Sequence, residues 1–449
     1  MSNIIVLTSD EHNPFVSSVY GHTKVKTPNM ERLAKMGTVF KNAYCPSPLC
    51  MPARSAFVSG RRVHEIQAYS NCNINLNPDY ASYGSELVKQ DVYTVFIGKT
   101  DVYANGDQLG FSEMILPGDR RPPGDSNFCR NPMSVRNDAA GRAFGFGAKE
   151  TAAQGDQKRM QAALDFLTRK APNLSQPWSL HINITNPHFP HYAMRDLWEM
   201  YEGMGDMPEF GTEHESANHP YARDLRDHFQ TDDFTKEQIL GLRHGYLACV
   251  TYVDRQIGRI LEALEETGQL ENTNFIYTSD HGDMLGKFGM WWKCSLYEDS
   301  VRIPCFAAGP DFEKGKVVDT PVDSLDIQAT IFKSVGADRP VDWTGKPLQE
   351  IEDCDKDRVV FSEYHGHGTR SGAYLIRKGD WKLIYCMAAP HLLFNLKEDP
   401  HELLNVYEKY PAKADELEAE LRKICNPERE NERAHQFQDE QISVINSTY

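Results

Sequence analysis

Three things are scarce in this chain, and each removes a class of function. Lysine and arginine number 48 against 64 aspartates and glutamates, a formal net charge of -16. That balance argues against an extended surface for neutralising a phosphate backbone, so no nucleic-acid partner is expected. If a substrate is anionic, its positive pocket must be local. No apolar run reaches the length of a membrane span, and no membrane partner is expected. Met1-Ser2-Asn3 passes directly into Ile4-Ile5-Val6-Leu7, without a basic leader or a small-residue cleavage site. Ten cysteines are scattered without paired spacing. This suits reduced thiols in a cytoplasmic setting better than a disulfide framework.

With 449 residues, 40% of them hydrophobic, the chain can bury one large core and add a smaller unit. Four short apolar runs end abruptly in chemistry. Residues 4–8 lead to Asp10, residues 92–97 deliver Gly98-Lys99-Thr100-Asp101, residues 178–185 open into Asn186-Pro187-His188-Phe189-Pro190, and residues 274–279 deliver Asp280-His281-Gly282-Asp283. Runs of this length and texture read as buried strands. In open α/β sheets the working crevice lies outside the carboxyl ends of the strands. Asp10, Lys99, His188 and Asp280 are therefore expected at one rim, as metal ligands, a cation and an acid/base group.

The stretch Pro46-Ser47-Pro48-Leu49-Cys50-Met51-Pro52-Ala53-Arg54 supplies what the rim would act with. A free cysteine is by default a buried structural residue. At a loop-to-helix junction, beside unpaired backbone N–H groups and the Arg54 guanidinium, it sits in a setting that favours an anion. Cys50-x-Pro52-x-Arg54, followed by Ser59-Gly60-Arg61, closely resembles the type I sulfatase signature of the alkaline phosphatase superfamily. In that family the cysteine is oxidised to formylglycine, whose hydrate attacks sulfur. Ser279-Asp280-His281-Gly282-Asp283, with Gly286 and a later Lys293, resembles a second family segment. In motif detail the chain is similar to choline-sulfatase-like and phosphonate-monoesterase-like members.

The resemblance implies an alkaline-phosphatase-like α/β fold, a large mostly parallel sheet flanked by helices over residues 1–354. A small C-terminal antiparallel α+β subdomain would follow over residues 355–449. It implies one divalent metal held by Asp10, Cys50, Asp280 and His281, with Ca²⁺ favoured over Mn²⁺ or Mg²⁺. Lys99, His188, Lys293 and Asn71 would touch substrate, and Arg54 would add positive charge. Asp101 replaces the family's histidine and is read as the base. Glu11 stands where many members have a second aspartate, and whether it reaches the ion is open at this level. The expected partners are a small sulfate ester and a formylglycine-generating maturase.

The same site would serve a phosphonate monoester or phosphodiester hydrolase, and a non-catalytic sulfatase-like binding protein is a further reading. Residues 107–146 have no period and read as a long loop that forms part of the substrate pocket. Residues 192–235 also read as loop. An apolar stripe from 236 to 264 reads as a core helix. His365 and His367 lie on a Gly-rich loop and read either as pocket lining or, as paired loop histidines more often are, as surface residues. The polar stretch 426–449 reads as a tail, mobile or ordered by a neighbour, and the resemblance to choline-sulfatase-like enzymes, whose C-terminus can reach across subunits, implies a homo-oligomer.

Overall fold

The computed structural model describes residues 1–103, 109–118, 120–127, 130 and 133–449. Parts of the expected 107–146 loop thus lie outside the described residues, and the described part is not loop throughout: Glu113–Ile115 is a strand of the main sheet and Ala139–Arg142 a short helix. Eight strands form the main sheet: β1 (Asn3–Asp10), β2 (Gly37–Phe40), β3 (Tyr93–Gly98), β4 (Glu113–Ile115), β5 (Trp178–Pro187), β6 (Thr273–Ser279), β7 (Cys305–Ala308) and β8 (Lys316–Val318). Their order across the sheet is β8-β2-β7-β6-β1-β5-β3-β4. β7 runs antiparallel to both of its neighbours, and every other pairing is parallel. β1 lies at the centre, between β5 and β6, which is why its apolar run is unbroken. Ile4 and Val6 enter the core on one face, and Ile5 and Leu7 enter the core on the other. A strand covered on both faces cannot alternate with polar residues.

Among the helices used below are α1 (Pro28–Met36), α2 (Cys50–Ser59), α3 (Lys236–Glu266) and α4 (Ser324–Val335). α3 covers one face, with Tyr246, Val250, Val253, Ile257 and Leu261 in the core it shares with Ile5 and Leu7. Its start is fixed by a capping box in which Thr235 and Gln238 satisfy each other's backbone N–H groups. α4 and α2 cover the other face through Ile327, Ile331, Phe57 and Val58. The extended stretch leading into β7 is interrupted at Pro304, which has no N–H to give a ladder. Residues 192–235 are not loop throughout: Pro220–Phe229 is a helix, begun by a proline and capped by the His219 ring.

A second, antiparallel sheet runs β9 (Val359–Tyr364), β10 (Ala373–Lys378), β11 (Trp381–Cys386) and β12 (Leu392–Asn395). α5 (Pro411–Ile424) packs on one face of it through Ala414, Leu417 and Leu421. A buried ion network joins this sheet to the main body. Lys382 Nζ, on β11, donates to Glu298 Oε1 at 2.8 Å and to Glu402 Oε1 at 2.7 Å. Glu298 also accepts from Tyr44 and lies 3.3 Å from Arg302 Nη1.

The last helix, α6 (Pro427–Thr448), corrects the expectation of a mobile or neighbour-ordered tail. It lies on its own chain. Ala434 packs with Ala56 of α2, Val63, Tyr69 and Leu325. Gln438 Nε2 donates to the His365 carbonyl at 2.7 Å, and Gln441 Nε2 donates to the Ile74 carbonyl at 2.7 Å. His365 and His367 are likewise buried rather than at the surface.

Removing one partner of a buried pair leaves the others as uncompensated charge. Lys382→Met is therefore expected to lower the unfolding free energy by about 3–5 kcal/mol, measured by urea denaturation. An unchanged midpoint would mean that the Glu298–Lys382–Glu402 tie does not hold the two sheets together.

Candidate active site

The strand ends converge at one rim, and α2 points its N-terminus at them. Cys50 is the first residue of α2. Leu49 offers the helix no side-chain cap, and Asn71 takes that place, accepting from Met51 N at 3.0 Å. Pro52, in the first turn, lacks only an N–H that a helix start leaves unpaired anyway. The sequence Cys-x-Pro therefore starts a helix with a thiol at its positive end.

Asp10, Cys50, Asp280 and His281 each place one ligand atom so that all four atoms lie within 4.8 Å of one another, and all four residues are buried. Cys50 Sγ is 3.3 Å from His281 Nε2 and 3.9 Å from Asp10 Oδ1. His281 Nε2 lies 3.6 Å from Asp10 Oδ1 and 3.7 Å from Asp280 Oδ1. Burial raises the Asp280 pKa, and the nearby anions Asp10 and Cys50 add to that against Arg54. Burial lowers the His281 pKa, but Asp280 and Cys50 draw it up to about 9. Anionic groups gathered out of water call for a shared cation. Two carboxylates, an imidazole and the residue-50 side chain make a donor set that fits a divalent ion.

Arg54, one turn along α2, holds this quartet in place. Its Nε donates to Asp280 Oδ2 at 2.8 Å, its Nη1 donates to Asn183 Oδ1 at 2.9 Å, and its Nη2 lies 3.6 Å from Asp10 Oδ2. Lys99 Nζ bonds Asp10 Oδ2 and lies 3.3 Å from Asp101 Oδ2. Burial pushes the Asp10 pKa up, but Lys99, His188 and Arg54 outweigh it and hold the carboxyl well below its ordinary range. For the Cys50 thiol, burial acts upward, whereas Lys293, Lys99 and His281 bring the pKa well below the usual thiol value. The glycine of Gly98-Lys99 is required: φ is +94°, and a Cβ would come within 2.2 Å of the Asn183 carbonyl.

A second group faces this one. Glu11 Oε2 lies 3.1 Å from Lys293 Nζ and 3.2 Å from His188 Nε2, and these two nitrogens are 2.6 Å apart. Glu11 thus clamps the lysine and the histidine together, a role its sequence position did not reveal. Asp283 is fully buried nearby. Burial and then the Glu11 charge raise its pKa to about 8.

The structure brings Asp10, Cys50, Arg54, Lys99, His188, Asp280, His281 and Lys293 together, with Asn71 beside them in the cleft. Asp101 joins through Lys99 and binds Arg120 Nε at 3.0 Å through Oδ2. The expected long loop supplies Arg120, Asp125, Arg136 and Arg142 to the cleft wall, none of them singled out from the sequence. Within residues 107–146 five arginines are balanced by five acidic residues, so the segment carries no net charge signal. No helix among the described residues is long and apolar enough to cross a membrane.

Comparison with known proteins bears on this geometry. Residues 2–337 match the family described as Sulfatase, and residues 286–431 match the C-terminal region of N-sulphoglucosamine sulphohydrolase. Choline-sulfatase of Rhizobium meliloti (strain 1021) is 31% identical, over 90% of this chain and 82% of that protein. Arylsulfatase K of Canis lupus familiaris is 27% identical, over 98% and 85%. In fold, the chain is similar to a protein solved in complex with its substrate D-glucosamine-2-N,6-O-disulfate, with TM-score 0.75, 21% identity and coverage of 96% and 98%. It is similar as well to the phosphonate monoester hydrolase of Silicibacter pomeroyi, with TM-score 0.75, 23% identity and coverage of 94% of each chain. With its cysteine at the head of a helix and its carboxylates at the strand ends, the chain belongs to the sulfatase family.

Proposed function

We propose that the protein hydrolyses an organic sulfate monoester to an alcohol and inorganic sulfate, with Cys50 oxidised to formylglycine. Asp10, Asp280, His281 and residue 50 would hold a divalent ion, Ca²⁺ before Mn²⁺ or Mg²⁺. The observation that carries this reading is the buried quartet at the head of α2, within reach of Lys99, His188 and Lys293. Hydrated, the modified residue supplies an oxygen nucleophile, and the ion supplies positive charge against which sulfuryl oxygens are polarised.

Every other part of the mechanism falls to the chain's own side chains. Arg54 orients Asp280 and Asp10. Lys99 brings a fixed ammonium to the sulfuryl oxygens, where charge stabilisation in a dry site is worth most. On the other side of the cleft, His188 and Lys293 meet the departing oxygen. Glu11 holds both, so that one can donate the proton the alcohol requires while the other keeps the local charge. General acid help of this kind contributes roughly 10²–10⁴ in rate. Asp101 would act as the base, its carboxylate oriented by Arg120 and Lys99.

The same reading includes a maturase that oxidises Cys50 and a cytoplasmic location, which suits the nine free thiols among the described residues. It includes a division into a catalytic unit over residues 1–354 and a C-terminal unit over residues 355–449. It also includes a homo-oligomer.

Protein produced together with a formylglycine-generating enzyme should show, by intact mass and peptide mapping, a residue 50 lighter than cysteine. That material should release sulfate from an aryl sulfate faster than it cleaves the matching aryl phosphonate, and Cys50→Ala should abolish turnover. An unmodified thiol in fully active protein would contradict the mechanism, and faster phosphonate cleavage would favour the phosphonate monoesterase reading.

A general acid matters most for a poor leaving group. His188→Ala should slow an alkyl sulfate by roughly 10²–10⁴ in kcat/KM and an activated nitrophenyl sulfate far less. Equal losses on both esters would remove His188 from proton transfer.

A further inference from the structure

The cleft leading to Cys50 contains an aromatic box that is already filled by a cation of the chain itself. The guanidinium carbon of Arg142 lies 4.2 Å from the ring centroid of Trp292, 4.4 Å from that of Phe189 and 5.7 Å from that of Phe229. Its side chain is only 11% exposed. Its one carboxylate partner among the described residues is Asp138, half in solvent at 3.3 Å, and its Nε has no hydrogen-bond partner among them. Burial depresses the Arg142 pKa, and the neighbouring Arg136 adds to that effect. The other two arginines of the wall are matched by buried carboxylates, Arg120 by Asp101 at 3.0 Å and Arg136 by Asp125 at 2.8 Å. Arg142 is thus the under-compensated cation of the cleft.

Its position relates it to the organic part of the ester. Phe189 follows His188 in the chain, and Trp292 precedes Lys293, so the rings that border Arg142 adjoin the two groups assigned to the leaving oxygen. The cleft they share measures about 390 Å³, its mouth included. An aromatic box of this kind ordinarily attracts a quaternary ammonium. Here an ammonium would have to displace a guanidinium and then face Arg136 and Arg120, a like-charge arrangement that works against binding. An incoming anion would instead meet the cleft-lining part of a guanidinium whose one carboxylate partner among the described residues is half in solvent, the setting for a charge-assisted hydrogen bond.

We propose that the organic part of the sulfate ester carries a second anionic group, a carboxylate or a further sulfate, which docks on Arg142, and that quaternary ammonium esters are rejected. This rests on the sulfate-ester reading given above. It adds the substrate class, and it makes Arg142 a residue that determines specificity.

Titration calorimetry on full-length Cys50→Ala protein tests it without turnover, using phenyl sulfate, para-carboxyphenyl sulfate, hydroquinone bis-sulfate and choline sulfate as probes. The doubly anionic probes should bind about ten- to hundredfold tighter than phenyl sulfate, with choline sulfate the weakest. The tighter of the two dianions identifies the group. A further Arg142→Met change should collapse that preference, and Arg142→Lys, which keeps the charge, should retain part of it. Binding of both dianions no tighter than phenyl sulfate, or tightest binding of choline sulfate, would overturn the proposal. Turnover of the same esters by matured wild-type enzyme tests the hydrolase reading separately, so the two failures are distinguishable.

Discussion

The rim depends on one buried guanidinium. Arg54 ties Asp280 to Asp10 and both to the Asn183 side chain, and it does so from the same helix that carries Cys50. The thiol and the carboxylates are thereby set by a single rigid element. Their separation follows from one turn of helix and not from the packing of independent loops. The helix is in turn backed by α6, whose Ala434 meets Ala56, so the far end of the chain supports the residue at its chemical centre. Arg54 also explains how two carboxylates can sit together out of water: without a cation between them, one would take up a proton.

The overall charge of -16 and an anionic substrate are reconciled by where the cations lie. Lys293 and Arg54 are buried, and Lys99 largely so, beside carboxylates at the rim, while Arg120, Arg136 and Arg142 line its approach. Most are matched by an aspartate or glutamate, so the cleft is a lattice of paired charges in which positive sites are local and directional. A lattice of this kind fixes positions more than it supplies net attraction. Selectivity then comes from which cations remain under-paired, and Arg142 is the clearest case.

Much of this was legible in the sequence because two signals are physically redundant. An apolar run that stops at a charged residue marks a strand end, and Asp10, Lys99, His188 and Asp280 all came from that rule. Cys50, Pro52 and Arg54 are legible because their spacing resembles the sulfatase signature, and a thiol at a helix start is consistent with it. Other parts were hidden by composition. α6 reads as a polar tail since its inward positions include Gln438 and Gln441, which bind backbone carbonyls instead of burying apolar surface. Arg142 is hidden because the segment 107–146 that carries it is neutral overall and because Phe189, Phe229 and Trp292 come from three distant segments. Whether Glu11 reaches an ion was open from the sequence; its carboxylate lies against Lys293 and His188, and with Asp10 and His188 it forms a second group that could hold an ion.

The central claim is that the buried quartet is a metal centre. Its most direct test is the metal content of purified full-length protein after dialysis against Ca²⁺ or Mn²⁺, measured by inductively coupled plasma mass spectrometry beside Asp280→Asn. One tightly held divalent ion per chain in the wild type, lost in the variant, is the predicted result. A wild type that retains none, or a variant that retains a full equivalent, would contradict it.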